Sequence, residues 1–255
     1  MSGGHAHGLF VHGSSPVHRL APQCKLVAAF LFVVAVVVTP REAFTAFVVY
    51  AAAVGFVTKL AGVRLRFVVR RLLIELPFLL FLLFLPFIAG GETTRVLGLE
   101  LSIEGLWAAW NIAIKSTLGL ATTILLGATT PVADLLRGLD RLHTPRIITA
   151  IAGFMVRYTD VVTGEMRRMK IARESRGYNP RWFWQARALA SSAGSLFIRS
   201  FERGERVHTS MLSRGFDGAL PSMGHTSDAT SAQWFASLVL PVAAGLVAAA
   251  ALVLR

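Results

Sequence analysis

The sequence predicts an all-α membrane protein with about five transmembrane helices, or six if one marginal stretch also crosses, plus a cytoplasmic module of amphipathic helices. Three observations carry that expectation. Of 255 residues, 54% are hydrophobic, and they are gathered into runs such as Leu72 to Ala89 that approach the ~20 apolar residues a bilayer-crossing helix needs. The formal charge of +12 lies mostly between those runs, as expected where lysine and arginine hold loops on the cytoplasmic side of a membrane. Between residues 131 and 231 the long apolar runs give way to helical periodicity, so residues 1–130 read as a tail with spans one to four, 131–231 as the cytoplasmic module and 232–255 as the last span.

The first span is Leu26 to Val38. It is short enough to resemble a signal-peptide core, but a long stretch precedes it and no small-x-small cleavage site follows. Arg41 and Glu42 lead at once into a second run, Ala43 to Leu60, and Lys25 and Arg41 are placed to snorkel to the two interfaces. The third span, Leu72 to Ala89, carries Pro77 and Pro86, which should kink it. Glu75 sits four residues from Arg71 and is expected to pair with it. The fourth span, Leu106 to Ala128, has Trp107 and Trp110 at one end, suited to an interfacial belt.

Lys115 lies deep in that fourth span, where a lysine costs about 2.5 to 3.5 kcal/mol unless it faces protein or water. Two readings stand open: a functional intramembrane cation, or a lysine snorkelling from a tilted helix. The last span is Gln233 to Leu254, interrupted by Pro241. Arg64, Arg66, Arg70 and Arg71 follow span two, whereas residues 90–105 hold Arg95 against Glu92, Glu100 and Glu104. The N-terminus is therefore expected in the cytoplasm and the C-terminus outside. Ile147 to Val156 is too soon followed by Arg157 and Asp160 to span alone, which leaves it as the candidate sixth, half-buried span.

Within the module, Met155, Thr159, Val162, Met166 and Met169 recur at helical spacing, and so do Phe197, Phe201, Gly204, His208 and Met211. Glu165 with Arg168, Arg199 with Glu202, and Glu202 with Arg206 stand at spacings that support exposed helices. The two helices should end alike, because Ser175-Arg176-Gly177-Tyr178 and Ser213-Arg214-Gly215-Phe216 repeat one pattern 38 residues apart. Glycine at C′ is an ordinary helix stop, reinforced by Asn179-Pro180 and Asp217-Gly218. An arginine in the last turn also complements the helix dipole. Its repetition at one fixed place suggests more, since a guanidinium at a helix tip can make a planar, bidentate contact with a partner's carboxylate.

From Gly194 to Gly218 the chain resembles the transmembrane T component of energy-coupling factor (ECF) transporters, in particular the CbiQ-type subunit of cobalt and nickel uptake systems. Ser15-Pro-Val-His-Arg-Leu-Ala-Pro-Gln-Cys-Lys25 and Ala172-Arg-Glu-Ser-Arg-Gly177 strengthen the likeness. The resemblance implies two coupling helices, each ending in an Ala-Arg-Gly signature whose arginine docks in a groove of a cytoplasmic ATPase. Here Ser175 and Ser213 stand where the family usually has alanine. Residue by residue, the resemblance assigns ATPase coupling to Arg176, Gly177, Arg214 and Gly215, with Ser175, Ser213, Arg173, Glu202 and Arg206 beside them. It further implies a CbiO-like pair of ABC-type ATPases that bind ATP, a CbiM-like substrate subunit that holds Co2+ or Ni2+, a small CbiN-like subunit, and a bacterial inner membrane as the location.

No catalytic residue and no cofactor bound by the chain itself are expected, since there is no G-x-x-x-x-G-K-[ST] loop and no H-E-x-x-H pair. His5, His7, His12 and His18 suggest metal binding, but loose His-x-His spacing in a Gly-rich tail is weak ground for a ligand set, and no metal site is assigned. Two other functions compete. A self-sufficient permease or channel would use Lys115 and Glu75 along a pathway. A nucleic-acid or anionic-lipid binder would use residues 163–215, although Glu174, Glu202 and Glu205 interrupt any continuous phosphate-tracking stripe, so no nucleic-acid partner is expected. A T component serving a vitamin transporter is the remaining alternative.

Overall fold

The computed structural model describes residues 10–11, 13–90, 93–96, 99–178, 186–216 and 229–253. The chain forms two compact units, one from Leu9–Gly138 with Ser227–Arg255, the other from Leu139–Thr226. Asn179-Pro180, Asp217-Gly218, His5, His7 and His12, singled out above, lie outside the described residues.

The larger unit begins with a one-turn helix α1 (Pro16–Arg19) and two apolar helices, α2 (Pro22–Val38) and α3 (Phe44–Leu60). Seventeen residues at 1.5 Å rise give about 26 Å, just under the ~30 Å hydrocarbon thickness. Both are therefore short spans, which fits the cations and polar turns that bracket them. The third span is longer than its apolar core suggested, running from Leu65 to Ile88, and it is built in pieces: α4 (Leu65–Leu72), a 3-10 turn (Leu73–Glu75), α5 (Leu76–Leu82) and α6 (Leu85–Ile88). Pro77 and Pro86 each fall at the start of a new piece, where a missing N–H costs nothing. The prolines divide the span instead of merely bending it.

A small antiparallel hairpin, β1 (Thr93–Val96) with β2 (Leu99–Ser102), is the one sheet among the described residues, which are otherwise mainly helical. The Ser102 hydroxyl then accepts from the Gly105 N–H at 3.2 Å and starts α7 (Ile103–Thr129), the longest span of the unit. Gly105 lets α7 approach α6: a Cβ there would stand 2.7 Å from Pro86 Cα and 2.8 Å from the Leu85 carbonyl oxygen. Helix α8 (Val132–Arg141) follows, and α11 (Ser231–Val253) closes the unit by packing along α2.

One core joins α2, α3, α7 and α11 through Phe32, Val36, Phe47, Tyr50, Leu118 and Ala244; a second joins α4 to α7 through Val63, Val68, Ala121, Ile124, Leu125 and Ala128. Tyr50 is the polar centre of the first. Its hydroxyl lies 2.9 Å from Thr39 Oγ1 and donates to the Ala244 carbonyl at 3.1 Å, while Thr39 donates to Ala35 at 2.8 Å. Two hydroxyl protons cannot fill all three contacts at once, so Thr39 and Tyr50 share them between the two carbonyls and each other, linking α2, α3 and α11. The outward faces of the same helices carry Phe30, Phe56, Ile74, Phe81, Ile88, Phe235 and Val239, all exposed, as a lipid-facing surface requires.

The smaller unit holds α9 (Arg146–Ser175) and α10 (Ala186–Leu212). Ile147–Val156, the candidate sixth span, lies in the first half of one unbroken 30-residue helix. Arg157 and Asp160 are accommodated within it. By length and composition the stretch Ile147–Ser175 is apolar enough to cross a membrane, as are Leu65–Ile88, Ile103–Thr129 and Ser231–Val253 among the described residues.

Candidate functional site

The two Ser-Arg-Gly ends adopt one backbone geometry. At the end of α9, Arg176 is the C-cap (φ −89°, ψ 14°) and Gly177 is left-handed at φ +76°. Gly177 N–H donates to the Glu174 carbonyl at 3.0 Å and Tyr178 N–H to Arg173 at 3.1 Å. At the end of α10, Gly215 has φ +80°, Gly215 N–H donates to Leu212 at 3.0 Å and Phe216 N–H to Met211 at 3.0 Å. Both are Schellman motifs, with arginine at the same position in each. Only glycine takes this φ without strain.

The serines are also equivalent. Ser175 Oγ donates back to the Ile171 carbonyl at 2.9 Å, and Ser213 Oγ to Thr209 at 2.7 Å. A hydroxyl so engaged leaves the helix surface almost as an alanine would, which accounts for serine replacing the residue the resemblance calls for. Arg176 and Arg214 are exposed, and among the described residues no ion pair engages either. Arg173 is half-buried one turn before Arg176, and Glu202 and Arg206 form an exposed pair at 4.0 Å.

Helices α9 and α10 run in opposite senses against each other. Arg199 reaches across to Glu165 at 2.8 Å, and Glu165 also accepts from Arg168. The expected local pair between Arg199 and Glu202 is not formed; the cross-helix carboxylate takes the arginine instead. Beyond that bridge, a groove of about 400 Å³ is lined by Phe154, Met155, Tyr158 and Val162 from α9 and by Gly204, Val207, His208 and Met211 from α10, closed by Phe216. Movement toward the start of α9 thus corresponds to movement toward the end of α10. The two arginine tips consequently lie at opposite ends of the pair, about 16 Å and about 22 Å of helix from the bridge. Part of each apolar stripe lines the groove; Met166 on α9, and Phe197 and Phe201 stacked at 6.5 Å on α10, lie outside it and are exposed.

Elsewhere the structure locates three charged side chains, Lys25, Glu75 and Lys115. Lys25 does not snorkel: it is 8% exposed, and its ammonium donates to the Thr129 carbonyl at 3.1 Å and the His18 carbonyl at 3.3 Å. Val11 N–H takes the neighbouring Ala128 carbonyl at 2.9 Å, so the residues before the first span cap the C-terminal end of α7. His18 is held in turn, with Nε2 donating to the Val11 carbonyl at 2.9 Å and Nδ1 facing Ser15 Oγ at 2.7 Å. Sequence reasoning missed this tie, although Ser15 three residues before His18 is a helix-start signal. Glu75 is 7% exposed with neither carboxylate oxygen hydrogen-bonded, and the Arg71 guanidinium lies over the Phe67 ring at 4.5 Å.

Lys115 makes a contact between helices that its position in the sequence does not specify. Its Nζ donates to the Val37 carbonyl at 2.8 Å, capping the last turn of α2 as Lys25 caps α7. Lys115→Leu is therefore expected to lower the thermal stability of the purified chain, by about 0.6–1.7 kcal/mol for one interhelical hydrogen bond in a membrane. Loss of transport with no loss of stability would instead support the reading of Lys115 as a functional intramembrane cation. Among the described residues no group of three or more His, Cys, Asp or Glu side chains is placed to hold a metal ion.

The chain is similar to known transport proteins along most of its length. The family model of CbiQ, cobalt transport protein, matches residues 13–226. The chain is 29% identical over 225 residues to the energy-coupling factor transporter transmembrane protein EcfT of Bacillus selenitireducens, covering 83% of each chain. It is 28% identical over 124 residues to the cobalt transport protein CbiQ of Rhodobacter capsulatus, covering 48% of this chain and 50% of that one. It is also 28% identical over 160 residues to a putative fused cobalt transport protein CbiMQ of Methanocorpusculum labreanum, covering 59% of this chain and 27% of the other.

Proposed function

The chain belongs to the CbiQ family of cobalt transport proteins, as a multi-pass transmembrane T component of ECF-type transporters, and from that membership we propose that it couples cytoplasmic ATP hydrolysis to cobalt uptake. In this reading two ABC-type ATPase subunits bind ATP, one gripping Arg176 and the other Arg214. Their closure moves α9 and α10, and the pair moves a separate substrate-binding membrane subunit that carries Co2+, or Ni2+ as the second choice. The observation that carries the proposal is the duplicated Schellman end, with an exposed arginine at the same position at each of two opposite tips. Such an arrangement suits two copies of one acceptor.

The chain's own part is mechanical. Each guanidinium offers a planar fork to a carboxylate. Each glycine holds its arginine at the last carbonyl, and the Glu165–Arg199 bridge with the groove beside it ties the helices so that they move together. The test is reconstitution in proteoliposomes with and without the ATPase and substrate subunits. Cobalt uptake should require ATP and all partners, with nickel competing if the metal site is shared. Ion flux through the chain alone would overturn the proposal in favour of a channel.

Orientation is part of the same proposal. With the basic loop at Arg64–Arg71 inside, a reporter near Gly218 is expected in the cytoplasm and one after Arg255 outside. Both on one side would defeat the five-span arrangement, whereas Gly218 outside with Arg255 inside would assign a sixth crossing to α9.

A further inference from the structure

The corner between α3 and α4 concentrates cations that the coupling mechanism does not use. Lys59 stands in the last turn of α3, Arg64 at the N-cap of α4, and Arg66 and Arg70 along α4; all four are exposed, and among the described residues no ion pair engages any of them. The first turn of α4 holds no acidic residue and its N-cap makes no side-chain hydrogen bond, so the positive end of the helix dipole is uncompensated as well. One face of α4 is committed, because Val68 is buried against Ala121, Ile124 and Leu125 of α7. The adjoining face is apolar yet open, with Leu65 63%, Val69 52% and Leu73 59% exposed in one row. That row continues into the exposed Ile74 and Phe78 of the same span.

We propose that this corner binds an anionic phospholipid, its headgroup phosphate held by Arg64, Arg66 and Arg70 with Lys59, and its acyl chains lying along the Leu65–Val69–Leu73 row. Guanidinium pairs with phosphate through two parallel hydrogen bonds, which a lone orienting charge does not need. A lipid fits where a soluble phosphate does not, because the cations flank an open apolar row at the place where two apolar helices end. Each basic side chain at such a surface contributes about fivefold in affinity.

The experiment uses the purified full-length chain in nanodiscs of phosphatidylcholine doped with phosphatidylglycerol, with native mass spectrometry reading retained lipid and thermal unfolding reading protection. The wild type should retain phosphatidylglycerol over phosphatidylcholine by about tenfold or more. Arg64→Gln, Arg66→Gln and Arg70→Gln combined should remove most of that preference, and Arg66→Gln alone about fivefold of it. Removing the same charge elsewhere, by Arg157→Gln, Arg167→Gln and Lys170→Gln, should leave it unchanged. Equal loss in both triple variants would reduce the effect to net charge and overturn the site. Full displacement by millimolar inorganic phosphate would reassign it to a soluble anion. An intact lipid preference with lost ATPase co-purification in the first triple variant would make the corner a protein-docking surface and overturn the lipid assignment.

Discussion

Arg176→Ala and Arg214→Ala should each abolish most ATPase co-purification, at a cost of about 2–5 kcal/mol of docking, because the partner's carboxylate is left buried and unpaired. Lysine should substitute poorly at both positions. It keeps the charge but lacks the fork, so Arg214→Lys is expected to resemble Arg214→Ala in ATP-dependent uptake. If the arginines served only to complement the helix dipole, the pattern would reverse. Lysine would then act as well as arginine, and alanine would lose just about 0.3–1 kcal/mol of local stability. The two exposed Schellman ends make this separation clean, since neither guanidinium supports the fold through an ion pair among the described residues. Normal docking and uptake in both alanine variants would remove the coupling assignment.

Gly105→Val should be the most damaging small change within the larger unit. Any Cβ there meets Pro86 Cα at 2.7 Å and Leu85 O at 2.8 Å, both backbone atoms that cannot rotate away. Forcing α6 and α7 apart should cost about 1–3 kcal/mol or more, and this cost does not depend on the hydrophobic effect, which is weak between helices already in lipid. Gly119→Ala is the control on the same helix, because nothing lies within 4 Å of its added carbon. Folded yield and thermal unfolding in detergent read both. Equal tolerance at the two positions would contradict the close approach of α6 and α7.

How much of this was legible follows from the range of the interactions. The apolar helices lie within a few residues of their sequence limits apart from the start of the third, and the ends at Gly177 and Gly215 could be read from glycine placement, because both depend on local periodicity and backbone freedom. The ion pair between Glu165 and Arg168 is likewise local. What escaped was set by distant partners. Arg199 chose Glu165 over Glu202, 34 residues away instead of three. Lys115 and Lys25 read as costly or snorkelling cations because the carbonyls that receive them, at Val37 and Thr129, are 78 and 104 positions away in the chain. The hairpin at Thr93–Ser102 had a local signal, two short runs separated by Leu97-Gly98, that was read only for its charges. The opposed placement of the two arginine tips had no local signal at all.

The tie between Lys25 and the end of α7 also fixes an order of events in biogenesis. Lys25 leaves the ribosome 104 residues before Thr129, the carbonyl that accepts its proton. Until α7 has been made and inserted, the ammonium lacks the Thr129 carbonyl, has only the nearby His18 carbonyl as a protein partner, and keeps the rest of its hydration at the membrane surface. Burial of the earliest helix start therefore waits on the fourth span, and a chain interrupted anywhere before residue 129 keeps a charged, water-seeking N-terminal corner that a quality-control protease or chaperone can recognise.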